Sequence, residues 1–413
     1  MRHSNIKENS MRLAAIGAVA LATWSSAASA GGFDIREQST VFMGSASAGT
    51  AAGGSLGSMF WNSAATAQFS GLNSESAYML VLPYANIDFS SPAQGSSGNI
   101  GIDATTSASY GAYQVAKDLW VGIAINSPFG LATKPDNTSY IGSYLGVTSK
   151  LLTINANPTI AYRIAPGITI GAGVQIEWAQ TKLQFRDPTG NIAQFGGTDW
   201  AFGGTAGITL EPAPGTTIGL GYRSQMTHDM EGTFHSVALT AGTNVPGVAT
   251  VNLPDIVTLS GRQVITPTTR LLGTVQWTNW SRFKDLPLDI PGHTLAVEAN
   301  WNDGWFFSVG GEYDYSPLLT LRSGVAYEIS PIDSATGRLV QIPDNNRIWL
   351  SVGASYKWSE SITLDVGYSH LFIQDGGVEL SPPSVDGVPN PTTFSGTSQA
   401  AVDLFSVGMR TKW

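Results

Sequence analysis

The sequence predicts an all-β protein, a transmembrane antiparallel β-barrel of about 14 strands with a small N-terminal hatch, or plug, inside the lumen. The first observation is the alternation in residues 168–178, where isoleucine, alanine, valine and tryptophan alternate with threonine, glycine, glutamine and glutamate. Residues 348–358 repeat this pattern. Long alternating strands are typical of membrane barrels. Lipid outside explains the apolar face, and a polar lumen explains the second face, which is too rich in small residues for a routine solvated surface.

The second observation is the alternating length of the links between predicted strands. Strands are expected near residues 76–90, 103–117, 119–127, 149–164, 168–186, 199–211, 216–231, 255–265, 269–284, 304–315, 318–330, 347–358, 361–374 and 401–413. Tight turns, such as residues 165–167 and 213–215, alternate with long polar or proline-rich links. Because short turns on one side and long loops on the other are the outer-membrane arrangement, we expect the outer membrane of a Gram-negative bacterium.

Composition fits a membrane protein that spans with strands. The 413 residues include 47 glycines, only 12% are charged, and the mean hydropathy is +0.03. After the first 30 residues, no stretch approaches the ~20 apolar residues of a spanning helix. The absence of cysteine excludes disulfides and thiolate metal sites. A net charge of −9 without a Lys/Arg cluster argues against a nucleic-acid partner.

Three regions are predicted along the chain. Residues 1–30 combine basic residues, an apolar run and an Ala-Ser-Ala site, which is typical of a secretory signal peptide. Residues 31–75 are crowded with glycine, serine and alanine, a composition that suits either a compact plug or a flexible linker. Apolar residues between the small ones favour the folded hatch. Residues 76–413 are the predicted barrel.

Aromatic residues near predicted strand ends favour interfacial girdles. They are Trp277, Trp280, Trp301, Trp305, Trp358 and Trp413. In the last strand, Phe405, Val407, Met409 and Trp413 share one face. A chain that ends on such a strand resembles the signal read by the outer-membrane assembly machinery.

No enzyme, cofactor or metal site is predicted. Residues 53–57 match G-x-S-x-G, but the strand-turn-helix setting and the histidine base of a nucleophile elbow are missing. We expect His228, His235, His293 and His370 to be solvated or structural residues in or near loops and strand tips.

Ordered short motifs over the mature chain resemble the FadL/TodX family of outer-membrane channels for long-chain fatty acids and other hydrophobic compounds. They are residues 32–40 followed by an Ala/Gly-rich run, 120–131, 157–163, 221–224, 253–255, 277–283 and 342–351. The resemblance implies a fourteen-stranded barrel with an N-terminal hatch. It also implies capture of cargo at extracellular loops and sideways release through a kink in the third strand.

The family's kink is carried onto Gly122, Asn126 and Pro128, where proline cannot donate a ladder hydrogen bond. An alternative is that Pro128 merely ends the strand. The family's hatch often carries Asn-Pro-Ala, which corresponds here to Asn62, Ser63 and Ala64. Because the proline is missing, we expect a more mobile hatch.

If the cargo carries a carboxylate, a lumenal cation should bind it. By strand parity Arg223, Arg322 and Arg347 project inward, and Lys182 and Arg186 lie near the outer end of the fifth strand, where the family binds head groups. Alternatively, the lumenal arginines pair with acidic residues and brace the barrel.

The favoured function is passive uptake of a hydrophobic compound by a monomeric channel, with a long-chain fatty acid as cargo. A monoaromatic hydrocarbon is the alternative within the family. A general aqueous porin or an adhesive barrel is the alternative from another class. Expected partners are the hydrophobic small molecule, outer-membrane lipid and lipopolysaccharide, and the assembly machinery.

Overall fold

The computed structural model describes residues 31–91, 95–388, 390 and 392–413, so the expected signal peptide lies outside the described residues. The strands are β1 (Leu72–Phe89), β2 (Ala104–Ala116), β3 (Leu119–Asn126), β4 (Gly130–Thr133), β5 (Thr148–Ala165), β6 (Ile168–Arg186), β7 (Ile192–Ala213), β8 (Thr216–Arg223), β9 (Met226–His235), β10 (Asn244–Leu253), β11 (Ile256–Thr266), β12 (Thr269–Thr278), β13 (Asp285–Ile290), β14 (His293–Glu298), β15 (Gly304–Asp314), β16 (Leu319–Ile329), β17 (Arg347–Lys357), β18 (Ile362–Ile373), β19 (Gly376–Leu380), β20 (Ser384–Val385) and β21 (Phe394–Lys412). Two short helices, α1 (Thr40–Met43) and α2 (Val237–Thr240), accompany them, and no helix in this part of the chain is long and apolar enough to cross a membrane.

These strands form a closed antiparallel barrel of 14 strands, as the sequence predicts. Several barrel strands are interrupted, so that β3 and β4, β8 and β9, β10 and β11, and β18 and β19 each follow one line of the wall. The ring closes where β1 pairs with β21 along nearly its whole length. Closure pairs the backbone groups that an open edge would expose to lipid.

The side-chain pattern is inverted relative to a soluble protein. In β17, Ile348, Leu350 and Val352 are about half exposed, whereas Trp349 and Ser351 are buried. Thus the apolar face lies outside and the polar face inside, as the alternation predicts.

Residues 31–71, here called the N-terminal segment, contain α1 and the 3-10 helices Thr50–Ala52, Leu56–Phe60 and Ser63–Gln68, and are almost entirely buried. Glycines of the barrel wall let its backbone approach closely. A Cβ atom on Gly219 would lie 1.8 Å from the Ala51 carbonyl oxygen, and one on Gly221 would lie 1.7 Å from that of Trp61. Many small residues of the inner face are therefore contact positions for this segment.

Three expectations need correction. The long link expected between the predicted strands 216–231 and 255–265 is mostly strand, because β9 and β10 pair as far as His235 and Asn244. The β6–β7 link is only residues 187–191, because the two strands pair to Arg186 and Ile192. Trp280 and Trp301, expected in an interfacial girdle, are 1% exposed and lie inside the protein.

Candidate functional site

The β-ladder of the barrel wall is interrupted beside the third strand. The β2–β3 ladder ends at the pair Ser109–Ile125, and the chain resumes as β4, which pairs with β5. Farther along, the wall is closed again by a bridge between Gly101 and Thr133. The resulting window lies between residues 104–108 and 126–132. Proline at position 128 suits the interruption because it has no N–H for a ladder.

The N-terminal segment closes the window from inside. Phe33 and Ile35 pair with the chain at the break: the Ile35 N–H donates to the Pro128 carbonyl at 2.8 Å, and the Gly130 N–H donates to the Phe33 carbonyl at 3.0 Å. The Gln38 amide donates to the Ser127 carbonyl at 2.8 Å. The third strand thus exchanges its β2 partner for the N-terminal segment.

The Phe33 ring fills an aromatic box. Its centroid lies 4.6 Å from that of Trp280, 5.3 Å from Phe283, 5.9 Å from Trp301 and 6.2 Å from Phe129. Edge-to-face arrangements of this kind contribute about 0.5–1.5 kcal/mol per pair beyond area burial.

An apolar chamber continues from the aromatic box toward the long-loop end of the barrel. Its side chains belong to one buried cluster with Phe33, and a cavity of about 80 Å³ is lined by Leu145, Leu183, Leu286, Leu339 and Ile342, among others. Such a surface binds a hydrocarbon by excluding water, at roughly 25 cal/mol per Å² of apolar area.

A buried ion cluster holds the N-terminal segment below the aromatic box. Arg36 lies 3.1 Å from Glu328 and 3.5 Å from Asp34. Burial raises the pKa of Asp34 to about 6 and that of Glu37 to about 7, and the nearby carboxylates contribute. The Glu37 Oε2 atom has no hydrogen-bond partner among the described residues.

Comparison with known proteins identifies the family to which this chain belongs. Residues 21–413 match the profile of a family described as outer membrane protein transport protein (OMPP1/FadL/TodX). The chain belongs to this family. The chain is 28% identical over 405 residues to the long-chain fatty acid transport protein of Salmonella typhi, and this match covers 88% of the chain and 93% of that relative.

Two solved structures share the fold of this family member. A FadL homologue from Pseudomonas aeruginosa has a TM-score of 0.83 at 18% identity, with 92% of this chain and 99% of that chain covered. The Ralstonia pickettii toluene transporter TbuX has a TM-score of 0.65 at 18% identity, with coverages of 91% and 100%. The family assignment places the barrel in the outer membrane, as predicted.

The three inward-facing arginines are buried, and Arg322 and Arg347 form ion pairs. Arg322 donates to Glu312 at 2.8 Å and also bonds Ser355. Arg347 pairs with Asp344 and lies 3.7 Å from Glu328.

Arg223 donates to Gln175 and to the Phe60 carbonyl, and its guanidinium lies 4.3 Å from the Phe60 ring centroid. Arg322 and Arg347 thus contact acidic residues, the arrangement that the bracing alternative describes, whereas these contacts of Arg223 are with uncharged groups.

The other two head-group candidates do not face the lumen. Lys182 has the parity of the exposed residues Ile170 and Val174, so it projects from the outer face, where it lines an open groove of about 530 Å³ with Lys150. Arg186 donates to the carbonyls of Thr138 and Gly190 and fastens loops. Strand parity, applied to β6, identifies the outward direction of Lys182.

The kink residues have different roles. Gly122 lies in regular ladders with Ala112 and Thr159. It is not at the break, and its missing side chain makes room for Met59 and Thr66 of the N-terminal segment. Asn126 ends β3, and Pro128 lies in the break itself.

The triplet Asn62, Ser63 and Ala64 is firmly attached. The Asn62 carboxamide accepts from the Ala64 N–H at 2.9 Å and donates to the Thr209 hydroxyl at 3.1 Å. The Ser63 hydroxyl lies 2.8 Å from that of Thr205. The greater mobility expected from the missing proline stays a prediction; the Ser63 hydroxyl makes a direct contact with the wall that a proline could not make.

Sequence reasoning missed a polar site around His228. It was expected near a loop or strand tip, but it lies within β9 and is fully buried. Its Nδ1 atom is 3.1 Å from Asp199 and its Nε2 atom 3.2 Å from Glu177. In the predicted seventh strand His228 has the opposite parity to the inward-facing Arg223, so strand parity predicts an outward side chain; the break between β8 and β9 reverses that parity.

Proposed function

We propose that the protein is a passive channel for hydrophobic compounds and that its favoured cargo is a long-chain fatty acid. The observation that carries the proposal is a wall window next to an apolar chamber, with Phe33 between them. The Salmonella typhi relative is named for long-chain fatty acid transport, and it matches over nearly its whole length.

In the proposed route, cargo is captured among the extracellular loops and enters the chamber. It then displaces Phe33 from the aromatic box. A hydrocarbon chain can replace the Phe33 ring because apolar contacts are non-directional and scale with the area removed from water. The cargo leaves sideways through the window, so its hydrocarbon part passes from the chamber into lipid.

We propose that residues 31–75 act as the hatch of a monomeric barrel spanning residues 76–413, with β1 beginning slightly earlier, at Leu72. Their burial against the wall supports this. Outer-membrane lipid and lipopolysaccharide would surround the barrel, and the assembly machinery would recognise its last strand.

An uptake assay tests the route. Cells that lack their own fatty acid channel would express Pro128→Val, which restores an N–H at the break, or Pro158→Val as a control at an outward-facing strand proline. We expect Pro128→Val to reduce uptake of labelled fatty acid severalfold with binding to the purified protein retained. Unchanged uptake would refute lateral release.

A second pair of variants tests the gate. Phe33→Ala should accelerate uptake severalfold because the aromatic box loses its occupant, whereas Phe202→Ala, at a ring that is 69% exposed on the outer face, should not. A large ionic conductance in the unmodified protein would instead favour a general porin.

Monoaromatic hydrocarbon uptake is the second candidate. The observation that favours it is the pairing of Arg322 and Arg347 with acidic residues, which leaves these two charges committed to protein groups. Measuring the affinities for a fatty acid and for toluene distinguishes the two candidate functions, since a channel that recognises a carboxylate would bind the acid far more tightly.

A further inference from the structure

Buried polar side chains form a row across the inner wall, starting at the window. The ladders pair Asn126 with Asn155 and Asn155 with Glu177. Directly opposed residues on one face have Cβ atoms about 4.5–5.5 Å apart, so these side chains lie side by side. Each is at most 2% exposed. His228 and Asp199 extend the row away from the window.

The row is hydrogen-bonded at its far end and unpaired at the window. Asn155 donates to Glu177 at 3.1 Å, and Glu177 in turn contacts His228. In contrast, the Oδ1 and Nδ2 atoms of Asn126 and the Oδ1 atom of Asn155 are buried and have no partner within the described ranges. Buried amides without partners are unfavourable, and native proteins rarely keep them without water or a ligand.

We infer that Asn126 and Asn155 bind the uncharged polar head of an amphiphilic cargo, a hydroxyl or a protonated carboxyl group. This inference rests on the proposed channel function and specifies its cargo. The unpaired atoms offer an amide donor and two carbonyl acceptors. A hydroxyl or protonated carboxyl complements that set because it both donates and accepts.

A carboxylate suits the row poorly. An ionised carboxylate only accepts hydrogen bonds, so the two amide carbonyl oxygens would remain unpaired. Glu177 and Asp199 add negative charge along the row. Arg223 interacts electrostatically with Glu177 but already donates to Gln175 and the Phe60 carbonyl.

The location gives the site a role in release. Asn126 is the first residue beyond the last β2–β3 pair and precedes the break at Ser127 and Pro128. A head group held there leaves its hydrocarbon tail at the window. Asn126 is therefore a positioning residue for exit as well as a binding residue.

Calorimetric titration of the purified full-length mature protein tests the inference with a twelve-carbon alcohol, the alkane of equal length, and the corresponding acid at a pH well above its pKa. We expect the alcohol to bind about tenfold more tightly than the alkane, a ratio typical of one good hydrogen bond. Asn126→Leu should abolish this preference and leave alkane binding unchanged. The control Ser351→Ala, at a buried hydroxyl that is 2.7 Å from that of Ser369, should change neither.

Three outcomes would overturn the inference. Equal affinity for alcohol and alkane would mean that water alone occupies the row. A carboxylate that binds more tightly than the alcohol would place head-group recognition elsewhere. Equal losses for both ligands in Asn126→Leu would indicate a structural role, and if that variant fails to fold, Asn126→Thr, which keeps a donor and an acceptor, should retain part of the preference. If no ligand binds, the proposed function fails rather than this site.

Discussion

The two ends of the lumen hold the N-terminal segment by different forces. Toward the tight turns, Asn62 and Ser63 make directional hydrogen bonds to β7, and wall glycines admit the backbone. Toward the long loops, the Phe33 ring is held by aromatic contacts, while the backbone beside it is hydrogen-bonded to Pro128 and Gly130. A hydrophobic ligand can replace apolar contacts at little cost in free energy, but it cannot replace buried hydrogen bonds or ion pairs. Displacement should therefore begin at the Phe33 ring and stop at the backbone hydrogen bonds to Pro128 and Gly130 and the ion cluster around Arg36.

The largest expected effect comes from removing the ion cluster that separates these regions. Arg36→Met leaves Glu328 and Asp34 buried with less compensation, and breaking a buried pair costs about 3–5 kcal/mol. Hydrogen exchange should show residues 34–40 opening far more readily. The control Lys357→Met removes an exposed pair with Glu360, worth ~0–1 kcal/mol, and should leave exchange unchanged. Equal protection in both variants would show that Arg36 is not an anchor.

The docking of the N-terminal segment around this ion cluster should depend on pH. The pKa of Glu37 is raised by burial from 4.5 to about 7, so the docked segment binds a proton more tightly than the free segment. Its stabilising contribution is complete below pH 4.5 and is lost as the pH rises through 7.

Docking should weaken by on the order of 1–3 kcal/mol across this window, measured by hydrogen exchange of residues 34–40 after correction for intrinsic rates. Glu37→Gln should flatten the dependence. An unaltered pH profile in that variant would assign the effect to another group, with Asp34, whose pKa is raised to about 6, as the first alternative.

A third test concerns the close approach at the wall. Gly219→Ala places a Cβ 1.8 Å from the Ala51 carbonyl oxygen, and overpacking of this kind costs about 1–3 kcal/mol. The segment should shift, and ionic conductance in a planar bilayer should rise. Gly261→Ala is the matched control because a Cβ there meets nothing within 4 Å. Identical conductance in the two variants would contradict the packing argument.

Periodic features were predictable, whereas features that depend on two distant segments were not. Two-residue alternation and turn residues predicted the barrel because each is local. The pairing of Phe33 with Gly130 and the aromatic box combine residues far apart in sequence, so no local pattern indicates them. Parity placed Arg322 in the lumen, but its partner Glu312 depends on strand register. Trp280 was misplaced because tryptophan suits both a girdle and a buried box.

The smallest expected effect concerns the part of the N-terminal segment that Asn62 and Ser63 attach to the wall. Ser63 begins the 3-10 helix Ser63–Gln68, a position that accepts proline, and Asn62 has the extended backbone (φ −148°, ψ 107°) that a following proline prefers. Ser63→Pro loses the bond to Thr205 but restricts the unfolded chain, a gain of about 0.4–1 kcal/mol. We expect exchange protection of residues 62–66 to remain close to wild type. Ser63→Ala, which loses the same bond without that gain, should be less protected by about 1 kcal/mol. If Ser63→Pro opened this part of the segment as widely as Arg36→Met opens residues 34–40, the hydroxyl bond rather than the wall glycines would hold it.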